Sequence, residues 1–311
     1  MKIAIFGTGG VGGYFGGLLA QAGYDVSFIS RGKQLAAIRR AGLRIRSVNG
    51  DFHLDQVNAT GEPGDIGPVD YILLAVKHYH LDSSIDQLQP LVGTRTTIVP
   101  LLNGVDAHEK LIEVYGTGPV VGGLCSLVSM VEEPGVIYQP SKLRRVVIGE
   151  LDNSRSERVE SIVQALERSG AEAIHSENIQ VAIWTKFMFI SSFGGVSSLS
   201  RATVGEFLGC PATRSLFIQA MQEVDSLARV QDINLAIDAV EKNLEMADGF
   251  VASATSSMQR DVEAGNLFEL EAFSGTIITL GEKFDIPTPV HAALYALLLP
   301  ALLRAEKSHS R

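Results

Sequence analysis

Positive charge is what this sequence has least of. Its 311 residues hold 26 Lys and Arg against 35 Asp and Glu, a formal net charge of −9. No block of cations offsets that balance, so nucleic acid and anionic membrane are not expected as partners. An anionic ligand would have to be held by a few local cations. Cysteine is scarce too: Cys125 and Cys210 stand far apart, without metal-ligand spacing. That argues against a disulfide scaffold and a cysteine metal centre, and we read both as buried thiols in a reducing, cytoplasmic setting. The chain runs straight from Met1 into an apolar stretch, with no signal-peptide pattern. The longest late apolar run, 292–303, is too short to span a bilayer and contains Pro300. No repeat or low-complexity stretch appears, and 306–311 is expected to be a frayed tail. With 46% hydrophobic and 20% charged residues, the chain is long and apolar enough to build two globular domains.

Glycine is plentiful where it matters. The chain opens MKIAIFGTGGVGGYFGG. Ile3 to Phe6 has the continuous apolar character of a buried parallel strand. Gly7-Thr8-Gly9-Gly10-Val11-Gly12 follows as G-x-G-x-x-G, and Val11, Phe15, Leu18 and Leu19 then recur at helical spacing. Strand, glycine turn and helix together form a dinucleotide-binding pattern. Gly7 permits a tight turn, Gly9 lets a pyrophosphate approach the backbone, and Gly12 allows close helix–strand packing. The first-turn N–H groups and the helix dipole would hold the phosphates.

Tyr24 to Ser30 reads as the second strand. It ends Ser30-Arg31-Gly32-Lys33, with no acid to hold the ribose hydroxyls of NAD. Arg31, with Lys33 beside it, instead suits a 2′-phosphate, so NADP(H) is the expected cofactor. The pattern continues with a helix over 34–41, a hairpin over 43–55 turning at Asn49-Gly50, and a strand over 71–76 followed by Lys77. A helix over 81–91 and a strand over 96–102 lead to Asn103-Gly104. Lys77 and Asn103 each follow a core strand, on the ligand side of an open parallel sheet. The Asn103 amide can both donate and accept. His108 and Glu109 are read as solvated, and 136–138 with 146–148 as a strand pair. A helix over 156–168 and an edge strand over 171–175 complete an α/β Rossmann-type domain, 1–176.

From 177 to 311 only helical patterns are convincing: 177–199, 211–230, 236–246, 250–264, 268–284 and 291–304. This predicts an all-α domain, with a substrate cleft against the first. Lys186 lies in Ile183-Trp184-Thr185-Lys186-Phe187, and Glu269 in Leu267-Phe268-Glu269-Leu270. Such ionisable groups in apolar settings are candidates for proton transfer. Lys186 can instead snorkel, Glu269 can face solvent, and Ser257 can merely bond its own helix rather than a substrate carboxylate. The apolar 297–303 stretch makes a homodimer plausible, though the same residues can be core.

With these residues assembled, the chain resembles the ketopantoate reductases (2-dehydropantoate 2-reductases) over nearly its whole length. The resemblance rests on the glycine loop, Arg31, Ala75-Val76-Lys77, Leu102-Asn103-Gly104, Asn178-Ile179, Trp184-x-Lys186, Gly205-Glu206, Ser256-Ser257-Met258 with Asp261, and Glu269. It implies NADPH-dependent reduction of a 2-oxo acid to a 2-hydroxy acid, within pantothenate biosynthesis for the family's usual substrate. By that likeness Lys186 gives the proton and stabilises the oxyanion, and Asn103 orients substrate and nicotinamide ribose. Ser257 would bind the carboxylate, Glu269 the far hydroxyl, and Lys77 the cofactor. The chain departs from the family at Ile190, Gly194 and Val204, where Asn is usual, and at Tyr138-Gln139-Pro140-Ser141-Lys142, where a His-x-Gly-x-Gly is usual. A more apolar 2-oxo acid is therefore an alternative substrate. A dehydrogenase of the 3-hydroxy-acid or 6-phosphogluconate type, and a non-catalytic NADP sensor, are competing readings. Trp184-x-Lys186 and Ser256-Ser257-Met258 argue against the former, and Lys186 with Glu269 against the latter.

Overall fold

The computed structural model describes residues 1–309. These divide into two units, Met1–Ala182 and Ile183 onward. The first unit runs β1 (Lys2–Phe6), α1 (Gly10–Gln21), β2 (Asp25–Ile29), α2 (Gly32–Ala41), β3 (Leu43–Ser47), β4 (Phe52–Leu54), β5 (Asn58–Thr60) and β6 (Tyr71–Leu74). It continues with α3 (Leu81–Ile85), β7 (Thr97–Pro100), α4 (Ala107–Tyr115), β8 (Gly122–Leu127), β9 (Met130–Glu133), β10 (Val136–Gln139), β11 (Arg144–Gly149), α5 (Glu157–Arg168) and β12 (Glu172–His175).

Five strands form a parallel sheet in the order β5-β2-β1-β6-β7. Ile3, Ala4 and Ile5 on β1 and Ile72 and Leu74 on β6 are wholly buried. Removing a branched side chain of this size from water stabilises the fold by about 1.5–3 kcal/mol. Because the strands are parallel, every carboxyl end lies at one edge. The order reverses about β1, with β2 on one side and β6 on the other, and that is where an open sheet of this kind leaves a ligand crevice.

The expected pairing of 136–138 with 146–148 does not occur. β10 pairs with β3 in parallel and with β9 in antiparallel fashion, within the sheet β4-β3-β10-β9. β11 lies between β12 and β8 in a separate sheet. Closeness in sequence suggested a hairpin between them, but β10 forms its hairpin with the preceding β9 and adds the distant β3, while β11 pairs with β8 and β12. The 81–91 helix is also shorter than expected: α3 ends at Ile85, and Asp86–Leu91, containing Pro90, continues as a 3-10 helix.

The second unit is helical: most of α6 (Ile179–Ser200), then α7 (Val204–Gly209), α8 (Pro211–Val230), α9 (Ala239–Asp248), α10 (Ser257–Glu263), α11 (Thr276–Phe284) and α12 (Pro289–His309). α6 is long and apolar enough to cross a membrane, yet 67% of its apolar window is buried within the protein, as in a core helix. The expected 250–264 helix survives only as α10, while the short α7 escaped the sequence pattern. Residues 306–309 belong to α12 rather than to a frayed tail; 310 and 311 lie outside the described residues. Of the late leucines, Leu298 and Leu302 are core, whereas Leu297 and Leu303 are exposed. Cys125 is buried, but Cys210, at the start of α8, is exposed, which corrects the expectation of two buried thiols.

A buried polar knot fixes α12. Glu223 on α8 accepts from Val290 N–H (2.7 Å) and His291 N–H (3.0 Å), capping a helix end that would otherwise leave these donors orphaned. His291 Nε2 donates to the Ala220 carbonyl (3.2 Å), and with the buried ring neutral Nδ1 accepts from Ser274 Oγ (3.2 Å). Burial pushes its pKa down from 6.5 to about 4, against the opposing pull of the Ala220 carbonyl. The folded value lies below the unfolded one. The stability owed to neutral His291 is therefore complete above pH 6.5 and is lost as pH falls toward 4, worth at most about 3 kcal/mol. Glu223, pushed up by burial, titrates with the opposite sign. Comparing wild type with His291→Gln by thermal unfolding between pH 4 and 7 isolates the histidine. The wild-type Tm is expected to fall more steeply with acid than the variant's; parallel profiles would refute this.

Candidate active site

The glycine turn starts where β1 ends. Gly7 has φ +101°, and a Cβ there would lie 2.9 Å from the Ala75 carbonyl oxygen, so only glycine suits the position. Thr8 Oγ1 donates to the Ile29 carbonyl (3.0 Å), and Gly7 N–H donates to the same carbonyl (3.2 Å), pinning the turn to the end of β2. Gln34 on α2 donates to the Thr8 carbonyl (3.1 Å) and accepts from Gly135 N–H (2.9 Å). Gly9 is the N-cap of α1, which no side chain caps and whose first turn holds no acid. A Cβ at Gly9 would meet nothing within 4 Å. An uncapped helix start with open space at its cap suits a diphosphate, so the residues present fit a dinucleotide.

Arg31, exposed at the N-cap of α2, carries no acidic neighbour on its strand end. Its guanidinium donates to Gln87 Oε1, and its charge, after burial, holds the His80 imidazole below the usual histidine range. Lys77 is exposed just beyond β6, and Asn103 is half-buried just beyond β7. The sheet therefore gathers the 7–12 loop, Arg31, Lys77 and Asn103 at one edge.

The second unit holds the other candidates. Lys186 is half-buried on α6, between the buried Trp184 and Phe187. Glu269 is 6% exposed, so the solvent-facing alternative is excluded. The Phe187 and Phe273 rings meet edge-on at 6.3 Å, tying the Lys186 segment of α6 to the turn that follows Glu269. That turn, Glu271–Gly275, is a π-helix within the stretch expected to be plain α-helix. Ser257 is exposed as the first residue of α10, where Ser256 is the N-cap and accepts from Gln259 N–H (3.0 Å).

Sequence reasoning missed three groups near the sheet edge. His78 and Asp106 form a side-chain pair of 2.7 Å. Both lie just past a core strand, which was the available signal. Ser129 packs on the glycine loop: a Cβ at Gly10 would lie 2.6 Å from its carbonyl oxygen, and its hydroxyl is buried without a hydrogen-bond partner. No local pattern marks it. His108, expected to be solvated, is 6% exposed and lies 2.9 Å from Gln180 Nε2. Burial holds its imidazole below the usual range, against the Asp106 charge.

Comparison with known proteins agrees with this geometry. The family described as ketopantoate reductase PanE/ApbA matches residues 3–153, and its C-terminal family matches 178–301. The chain is 31% identical to the Bacillus subtilis protein called uncharacterized oxidoreductase YkpB, covering 99% of this chain and 100% of that one. It is 30% identical to the 2-dehydropantoate 2-reductase of Mesorhizobium japonicum, covering 96% and 97%. The solved 2-dehydropantoate 2-reductase of Geobacter metallireducens superposes with a TM-score of 0.91 at 30% identity, over 97% of this chain and all of that one. A Rossmann-type sheet and an all-helical partner, matched end to end, place the chain in the ketopantoate reductase family, as an NADP-dependent oxidoreductase that reduces a 2-oxo acid.

Proposed function

We propose that the protein reduces 2-dehydropantoate to (R)-pantoate with NADPH, a step of pantothenate biosynthesis. The observation that carries this is the gathering of the glycine loop, Arg31, Lys77 and Asn103 at one edge of the parallel sheet, in a chain that also retains Lys186 and Glu269. In this reading the α1 N-terminus and Arg31 bind the diphosphate and 2′-phosphate, and Lys77 supports them. Bound NADPH supplies the hydride. Asn103 orients the keto group, Ser257 takes the carboxylate, and Glu269 accepts from the far hydroxyl. Lys186 donates the proton and stabilises negative charge on the keto oxygen as it develops.

A second reading, a bulkier and more apolar 2-oxo acid, is favoured by one observation. At Gly194 a Cβ would lie 3.3 Å from the Phe273 ring and 3.4 Å from Met258 Sδ. Aromatic and thioether groups thus crowd a position where the family usually presents an amide, and Val204 is buried at another. Each lost hydrogen bond to a polar substrate would cost about 1–3 kcal/mol. The test is NADPH oxidation with ketopantoate and a panel of larger 2-oxo acids. Ketopantoate is expected to react with kcat/KM in the roughly 10⁴–10⁸ M⁻¹s⁻¹ span of ordinary enzymes. Inertness toward ketopantoate with turnover of an apolar 2-oxo acid selects the second reading. Bound NADPH with no turnover at all overturns both.

A further inference from the structure

We propose that the His78–Asp106 pair is a positioning device that holds Lys77 and Asn103 in register with each other, and so sets the geometry of the cofactor and keto-acid side of the site. The inference rests on the functional reading above for the roles of Lys77 and Asn103.

The need for such a device follows from where the sheet stops. The β6–β7 ladder ends with Leu74 opposite Pro100, and Leu101 N–H donates to the Leu74 carbonyl (2.8 Å). Lys77 and Asn103 both lie beyond that point, on irregular backbone outside the ladder. His78 immediately follows Lys77. Asp106 follows Asn103 by three residues, at the N-cap of α4. The imidazole Nε2 lies 2.7 Å from Asp106 Oδ1, with the histidine only 9% exposed. This side-chain bond extends the connection between the two segments past the end of the ladder.

The surrounding groups brace it. Lys110 Nζ lies 3.6 Å from Asp106 Oδ2 and 2.8 Å from Asp82 Oδ1 on α3. One chain of polar side chains, His78–Asp106–Lys110–Asp82, thus joins the segment after β6 to the segment after β7 twice. Burial pushes the Asp106 carboxyl up, but the His78 hydrogen bond, the His78 charge and the Lys110 charge together hold it below the usual carboxylate range. It therefore stays a strong acceptor at neutral pH. The neighbouring His108 is held neutral by burial and does not compete as a cation. Gly104 closes over the pair at φ +103°, where a Cβ would lie 3.2 Å from His78 Cδ2 and 3.3 Å from Asp106 Oδ1. The backbone bearing Asn103 is thus moulded on the pair itself.

The experiment compares wild type, His78→Ala, His78→Gln and Asp106→Asn by NADPH Kd (nicotinamide fluorescence), steady-state kinetics and thermal unfolding. His78→Ala is expected to weaken NADPH binding and lower kcat/KM by about 10- to 100-fold, the scale of a misplacement near 1 Å. His78→Gln restores a donor toward Asp106 and recovers most of that loss. A merely structural histidine would shift Tm and leave Kd unchanged. In a Lys77→Ala background, His78→Ala should add little further loss of NADPH affinity, because both changes disable the same contact. Wild-type Kd in His78→Ala, or losses that simply multiply in the double variant, overturns the proposal. Should His78→Ala fail to fold, Asp106→Asn removes the charge from the same link at constant shape, and wild-type binding in that variant overturns the proposal equally. If wild type binds NADPH but reduces no 2-oxo acid, the functional reading fails, while the Kd comparison still decides the device.

Discussion

Lys186→Ala is expected to lower kcat by about 10²–10⁴-fold while leaving NADPH affinity and thermal stability close to wild type. The reasoning begins with the helix. Lys186 is half-buried on α6, while the packing there is done by the buried Trp184, Phe187 and Met188. Alanine is the strongest helix former, so truncation at 186 costs α6 little. In the proposed reading, what is removed is an ammonium beside a keto oxygen that gains full negative charge only as hydride arrives. An interaction that exists mainly in the transition state appears in kcat, and KM for the 2-oxo acid should rise much less. Lys186→Arg separates the two parts of the role. A guanidinium keeps the positive charge but does not give up its proton at working pH, so this variant should lie between wild type and alanine. Glu269→Gln should act differently, raising KM for a substrate whose hydroxyl it accepts. A kcat for Lys186→Ala within tenfold of wild type would remove the lysine from the chemistry.

Much of the first unit was legible because its signals are local. A glycine at φ +101° after a four-residue apolar run can be read from Ile3-Ala4-Ile5-Phe6-Gly7 alone, and the missing acid beyond β2 from Ser30-Arg31-Gly32-Lys33. Parallel strands then force Lys77 and Asn103 to the same edge as the loop. The errors arose where tertiary partners decide. β10 and β11 are neighbours in sequence, yet their ladders run to β3 and β8, more than ten residues away in each case. His108 looks like a solvated helix residue until α4 packs against the first turn of α6 and Gln180 reaches its ring. Glu269 could not be assigned a face, because it lies on irregular backbone just before a π-helix, where the 3.6-residue period on which such an assignment depends does not hold. Gly194 reads as an ordinary glycine in an apolar helix. Its meaning lies in Phe273 and Met258, which are distant in sequence.

The glycine loop allows a sharper test, since two of its glycines are constrained by different things. Gly12→Ala is expected to damage the fold. Its Cβ would lie 2.1 Å from the Gly7 carbonyl oxygen and 2.9 Å from Ile5 Cγ2. Gly7 cannot yield, being itself held against Ala75 at positive φ. α1 must then lift off β1, although Gly16 and Gly17 seat it directly on Ile5, Phe28 and Ile45. Overpacking of this kind costs about 1–3 kcal/mol or more, and NADPH binding should be lost with it. Gly9→Ala meets no atom within 4 Å, and its backbone (φ −87°) is open to any residue. The only structural cost is that alanine caps a helix less well than glycine, about 1 kcal/mol at most. If the space over Gly9 exists for a pyrophosphate, the added methyl occupies it, and Gly9→Ala should retain a near-native Tm while binding NADPH at least about tenfold more weakly. Calorimetric unfolding with fluorescence titration of NADPH on both variants reads the two effects separately. A Gly9→Ala protein that binds NADPH as wild type does would mean that the diphosphate does not pass over the α1 N-cap. A Gly12→Ala protein of unchanged Tm would mean that α1 is not held to β1 by glycine packing.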